Sequence, residues 1–321
     1  MKKPRKPVDM SSITTYPLRE RINKTTIHDF ATPPESEINL SPFLASLPKI
    51  LKAPDFLSLV EDIVAAYRNK KPVIVMMGGH VIKCGLSPVL IELVKQGVIT
   101  GFAFNGASSI HDFEIALIGE TSEDVSAYLQ TGKFGMWEET GQLMNTAIQR
   151  AADTGIGMGE ALGKQLIEMD APYNSYSLLA AGVQDDVPIT VHVAIGTDII
   201  HQHPSANGAA IGAASFTDFQ LLTALVTDLE GGGVVLNLGS AVILPEVFLK
   251  ALTIARNLGH TVSHFTAANF DMNQQYRPVE NVVKRPTEMG GKGYTFTGHH
   301  ELMIPLLVQA IKSRLSCSIG C

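Results

Sequence analysis

Histidine is the reactive side chain that this sequence gathers where chemistry is usually done. Of ten histidines, His80 and His111 fall just after the first two apolar runs, His192 lies inside a third, and His201 and His203 lie just beyond it. His299 and His300 precede the last amphipathic segment, beside Glu301. Imidazoles that converge on one crevice act as general acids and bases or hold a metal, because their charge changes near neutral pH. The spacings His201-x-His203 and His299-His300-Glu301 leave open a zinc site built from His201, His203 and His299, although neither HExxH nor CxxC occurs. Lysine is the other candidate nucleophile. Lys83, Lys284 and Lys292 fall near expected strand ends or loops, and an amine forms imines once its pKa is lowered or its pocket desolvated.

Four apolar runs must position these groups, and each ends in small or polar residues. Val73–Met77 leads into Gly78-Gly79-His80, and Gly101–Phe104 into Asn105-Gly106-Ala107-Ser108. Ile189–Ile195 leads into Gly196-Thr197-Asp198, and Val234–Leu238 into Gly239-Ser240-Ala241. Continuous apolar runs suit strands buried on both faces, so the expected fold is α/β: a doubly wound, mostly parallel sheet with helices on both faces. Small residues at the carboxyl ends leave room for a ligand in the crevice there. A fifth strand is expected over Thr261–Thr266, and helices over Phe56–Asn69, Ser87–Gln96, Met136–Ala152, Tyr176–Val183, Phe216–Leu229, Pro245–Asn257 and His300–Arg314. Residues 121–168 read as mostly helical, with Thr121 and Asp124 at capping-box spacing. Gly155-x-Gly157-x-Gly159 follows a helical segment, so it reads as a helix–helix turn and not as a dinucleotide fingerprint.

The totals narrow the class. A chain of 321 residues with 45% apolar content fits one α/β domain over 49–321, preceded by a Pro-rich arm, 1–48, that wraps the domain or a neighbouring subunit. A net charge of −6 gives no general field for nucleic acid. Residues 1–24 carry seven Lys or Arg against Asp9 and Glu20, which reads as a solvated terminus. No apolar h-region follows this start, so a cytoplasmic protein that does not insert in membranes is expected. Cys84, Cys317 and Cys321 read as free thiols.

With the strand-end loops laid out, the chain resembles deoxyhypusine synthase from about Leu57 to Leu315. That family's NAD-touching Ser-Asn-Leu-Ile-Ser-Ser-Gly loop falls on Gly79-His80-Val81-Ile82-Lys83-Cys84-Gly85, and its Thr-Ala-Gly-Gly loop on Asn105-Gly106-Ala107-Ser108. Its Leu-Gly-Gly-Gly-Val-Val strand end is similar to Leu238-Gly239-Ser240-Ala241-Val242-Ile243, and its Thr-Ala-Gln-Glu-Phe-Asp stretch to Thr266-Ala267-Ala268-Asn269-Phe270-Asp271. Arg277-Pro278-Val279-Glu280-Asn281-Val282 and Ile304-Pro305-Leu306-Leu307-Val308 also resemble family segments. The resemblance implies a Rossmann-like fold, an NAD cofactor, a homo-oligomer with sites between subunits, and aminobutyl transfer from a polyamine through a lysine imine. It places cofactor contacts at Gly78, Gly79, His80, Asn105, Gly106, Ala107, Ser108, Gly239, Ser240, Thr266, Ala267 and His300. Asp198, His201, Glu246, Asp271 and Glu280 would hold the substrate, Lys284 would form the imine, and His111 or His299 would move protons. The family's catalytic lysine falls on Pro286, two residues from Lys284, its spermidine-binding histidine falls on Glu246, and an Asp-Ala pair falls on His299-His300. Those departures leave two other readings open: a histidine-rich, zinc-dependent hydrolase or lyase, and a nucleotide-binding relative without catalysis.

Overall fold

The sheet follows from the burial pattern of its strands. The computed structural model describes residues 10, 13–30 and 40–316, so Cys317, Cys321 and the first lysines lie outside the described residues. Six parallel strands, β2 (Val73–Met77), β3 (Gly101–Asn105), β5 (Ile189–His192), β6 (Val234–Leu238), β7 (Thr266–Asp271) and β8 (Lys292–Thr297), lie in the order β5-β3-β2-β6-β7-β8. Every residue of β2 and β6 is buried, as sheets covered by helices on both faces require. Val73, Val75 and Met77 face one apolar cluster; Ile74 and Met76 face the other, under the helices Gly208–Thr227 and Ile243–Asn257. In chain order the sheet reads 3-2-1-4-5-6, the order of dinucleotide-binding sheets. The winding reverses between β2 and β6, which pair directly from Val73–Val234 to Met77–Leu238.

Residues 72–104 form a βαβ unit, with β2 parallel to β3 and the helix Ser87–Lys95 between them. Gly155–Gly159 is the expected turn, joining the helices Glu138–Thr154 and Met158–Glu168. The fifth strand differs. It runs over Thr266–Asp271 and not over Thr261–Thr266, because the amides of Ser263 and His264 are taken by the Glu230 carboxylate and Val262 has φ 38°. A positive φ at a β-branched residue breaks an extended run. A sixth strand occupies Lys292–Thr297, where a loop reaching Gly293 is expected from sequence.

The stretch 121–168 is mostly helical, as expected, but it opens on a strand. Glu120–Glu123 forms β4, and Asp124 alone caps the following helix by accepting from the amides of Ser126 and Ala127. β4 pairs antiparallel with β1 (Asn23–Thr26), so the described part of the arm is stitched into the domain. Arg21, just before β1, is buried and meets Glu114 through two bonds of 2.6 and 2.8 Å. The helix Gly208–Thr227 is long and apolar enough to cross a bilayer; here it packs on β5 and carries Asp218, whose carboxylate accepts from the amides of Gly159 and Val191.

Candidate functional site

Two neighbouring strand ends illustrate opposite arrangements. At the end of β3, Asn105 caps the helix Gly106–Ile118, its Oδ1 accepting from the Ser108 amide at 2.9 Å and the Ser108 hydroxyl at 2.8 Å. That hydroxyl also lies 2.8 Å from the Met77 carbonyl. A Cβ on Gly106 would fall 2.0 Å from Asp198 Oδ2, so the Asp198 carboxylate rests against the first residue of this helix. Burial pushes its pKa up to about 6. Asn105, Gly106, Ala107 and Ser108, expected to contact a cofactor, are therefore occupied by the chain itself; Ala107 packs under Gly79.

At the switch between β2 and β6 neither helix start is closed by the side chain of its own N-cap residue, Gly78 before the helix Gly79–Lys83 and Val242 before Ile243–Asn257. The two ends touch: the Gly78 amide donates to the Leu238 carbonyl at 3.0 Å, and a Cβ on Gly78 would lie 2.5 Å from the Gly239 carbonyl oxygen. Gly239 has φ 69°, and a Cβ there would lie 2.5 Å from His300 Cε1. These glycines are required by packing of the chain on itself. Ser240 is buried and its hydroxyl accepts from the Leu244 amide at 3.3 Å.

Around this opening stand His80, Cys84, Asp271, His299, His300 and Glu301. The His80 and His300 rings are 5.7 Å apart, and His300 Nε2 is 3.0 Å from the Phe270 carbonyl. His299 Nδ1 is 3.6 Å from a Glu301 oxygen. Burial lowers the His80 pKa below the usual imidazole value, helped by His300 and Lys83 and opposed by the charges of Glu301 and Asp271. Burial pushes the Cys84 thiol up to about 11, with Glu301 acting in the same direction. His80 is thus a neutral base at pH 7, and Cys84 is a thiol.

Other expected site residues lie elsewhere. Thr266 opens β7 and donates to Asp62 at 3.0 Å, and Ala267 pairs with Gly293. Both sit at the amino end, because the fifth strand begins later than expected. Four residues separate Ala267 from Asp271, about 13 Å of strand. Lys284 is also far from the opening: its neighbour Val283 packs against Gly293, level with Ala267, and its ammonium meets Glu280 at 2.7 Å. A lysine stem cannot cover that distance. Glu246, in the first turn after β6, is engaged by Lys250, Arg277 and Asn281, and Lys250 foremost holds its pKa down.

His111 stands behind Gly79, whose Cβ would lie 2.9 Å from the ring. Its Nδ1 is 2.7 Å from Thr121 Oγ1, which donates to Glu114 at 2.5 Å. Burial lowers its pKa to about 4. His201 Nδ1 accepts from the Gly196 and Asp198 amides at 3.1 and 3.3 Å, and His203 Nδ1 lies 2.7 Å from Ser205 Oγ. They are buried beyond β5, so His201, His203 and His299 are not brought together as a metal set. Among the described residues, the one His/Cys/acid group at ligand spacing is His80, Cys84 and Glu301. Cys84 escaped the sequence reading, although its spacing of four from His80 on a helix was visible. A groove of about 880 Å³, lined by Arg68, Lys71 and Glu230 among others, lies at the opposite, amino ends of the strands. Its Lys71 ammonium is already held by the Glu230 carbonyl at 2.7 Å.

No protein-family model matches the sequence, and no curated protein matches it at a significant level. Solved structures do share the fold. ArgZ, an arginine dihydrolase from the ornithine-ammonia cycle in cyanobacteria, is 17% identical with TM-score 0.50, over 82% of this chain and 33% of that one. A conserved protein from Methanococcus maripaludis S2, assigned as LOR/SDH, is 16% identical with TM-score 0.50, over 89% of this chain and 74% of that one. A protein from Entamoeba histolytica assigned as a deoxyhypusine synthase is 9% identical with TM-score 0.48, over 87% and 96%. The chain spans about a third of the ArgZ length, and these likenesses extend to the α/β fold alone.

Proposed function

We propose that this chain is an NAD-dependent enzyme that works on a small amine at the opening between β2 and β6. The observation that carries the reading is the pair of helix starts, neither closed by its own N-cap residue, at the point where strand order reverses. First-turn amides there, with the positive ends of the helix dipoles, suit a pyrophosphate. NAD, when bound, would accept or return a hydride. The protein's own groups do the rest: His80, neutral at pH 7, accepts a proton from the amine, and Asp271 and Glu301 favour a cationic substrate. His300, anchored on the Phe270 carbonyl, fixes the wall behind His80.

A polyamine or a basic amino acid fits this charge pattern. Transfer to a second amine would then use a partner other than Lys284. Self-association belongs to the same proposal: Val242, Met272, Tyr276 and Leu302, from three segments at this edge, are at least half exposed, and a second copy would cover them. Calorimetric titration with NAD⁺, followed by NADH fluorescence on adding spermidine or ornithine, tests the reading. Saturable binding and NADH formation that both fall in His80→Ala are expected. Absence of binding at millimolar NAD⁺ and NADH contradicts it.

A further inference from the structure

We propose that His80, Cys84 and Glu301 form a zinc site at the edge of this opening. His80 and Cys84 sit four residues apart, one turn along the helical segment that follows β2, and so share one face. His80 Nε2 is 3.4 Å from Cys84 Sγ, and Cys84 Sγ is 3.7 Å from Glu301 Oε2. All three ligand atoms lie within 4.8 Å of one another. Zinc bound tetrahedrally at about 2.0 Å from nitrogen or oxygen and 2.3 Å from sulfur separates its ligand atoms by about 3.5 Å. Two of the three separations therefore already match the spacing that one ion requires, and the third lies within 4.8 Å. Hydrogen bonding among a thiol, an imidazole and a carboxylate accounts for two contacts, but it does not call for three donor types to converge from two separate elements.

The ligand set selects the metal. Thiolate with imidazole and a single carboxylate favours zinc over magnesium or calcium, which prefer all-oxygen shells. Three protein ligands leave a fourth position for water or a substrate oxygen. His300 supports the site from outside, its ring tilted beside His80 while bonded to the Phe270 carbonyl. With zinc bound, His80 and Glu301 serve as ligands in place of the base and cation-attracting roles proposed for the metal-free site; the inference does not depend on NAD binding, because it is measured with metal alone.

The test uses the full chain carrying Cys317→Ser and Cys321→Ser, so that Cys84 is the sole thiol. One equivalent of Co²⁺ should bind with the near-ultraviolet thiolate-to-cobalt absorption and the visible bands of tetrahedral cobalt. Cys84→Ser should abolish the thiolate absorption. Competition against a chromophoric chelator should show zinc affinity falling at least about 100-fold in His80→Ala, beyond what loss of a supporting contact causes. Glu301→Gln should weaken zinc while the thiolate band remains. His80 and Glu301 are exposed, so the thermal melts of their metal-free variants should match the parent. Cobalt bound without the thiolate absorption, or zinc affinity unchanged by His80→Ala and Cys84→Ser, overturns the proposal. Zinc affinity retained while NAD⁺ fails to bind would leave this site standing and remove the dinucleotide reading.

Discussion

The ends of β3 and of the β2–β6 pair lie side by side on the same edge of the same sheet, yet they are finished differently. The β3 end is closed by its own chain: Asn105 caps its helix, and the Asp198 carboxylate covers Gly106. At the β2–β6 end neither N-cap residue closes its helix start, Ser240 covering only the Leu244 amide, and histidine, thiol and carboxylate groups stand around it. An anion-accepting helix start that the protein fills for itself is a structural joint. One without an N-cap side chain, beside titratable groups that contact mainly one another, is where a ligand gains most. Glycine content does not separate the two, since glycines at both ends are required by close packing with the chain itself.

The comparison breaks most severely if the closed side is not structural. Arg21 and Glu114 are both buried there, and Arg21→Met leaves a carboxylate without its partner. It should cost about 3–5 kcal/mol of stability in urea unfolding, while zinc or nucleotide affinity of the folded fraction stays unchanged. A loss under 1 kcal/mol would show that the arm is not part of the domain.

Asp198 supplies a pH signature. Its carboxyl is raised from 3.8 to about 6 in the folded protein, so the folded state holds more protons between those values. Its contribution to stability is full below pH 4 and is lost as pH rises through 6. Relative to Asp198→Asn, the parent should lose at most about 3 kcal/mol across that interval. His111, lowered to about 4, acts in the opposite sense, with stability present above pH 6.5 and lost as pH falls. The difference between parent and variant, not the parent curve alone, is the measurement to make. Gly106→Ala should cost about 1–3 kcal/mol by pushing a methyl into the Asp198 carboxylate, and less when Asp198→Ala is combined with it. Equal costs in the two backgrounds would contradict the contact.

Lys284→Ala should do least. Its pair with Glu280 is exposed, and such pairs contribute about 0–1 kcal/mol. Neither nucleotide binding nor turnover should change, and a loss of turnover would return an imine to consideration.

Much of this was legible in sequence. Apolar runs ending in small residues gave four of the six parallel strands and their crevice, because burial on both faces leaves no polar alternation to confuse. The edge strand Lys292–Thr297, mostly half-exposed or exposed, shows no such run. The fifth strand shifted because Glu230, distant in sequence, captures the amides of Ser263 and His264. The site was half legible. His80, His299, His300 and Asp271 converge as their strand-end positions suggest. Thr266 and Ala267 were carried to the amino end by the strand shift, and Asp198 closes β3 through a contact that no local pattern encodes.

The most direct measurement is amide hydrogen exchange with and without saturating NAD⁺. The account predicts added protection over 78–85 and 239–246, with 105–109 unchanged. Protection over 105–109, over the Arg68–Pro72 groove, or nowhere would contradict the claim that the β2–β6 end is the ligand site.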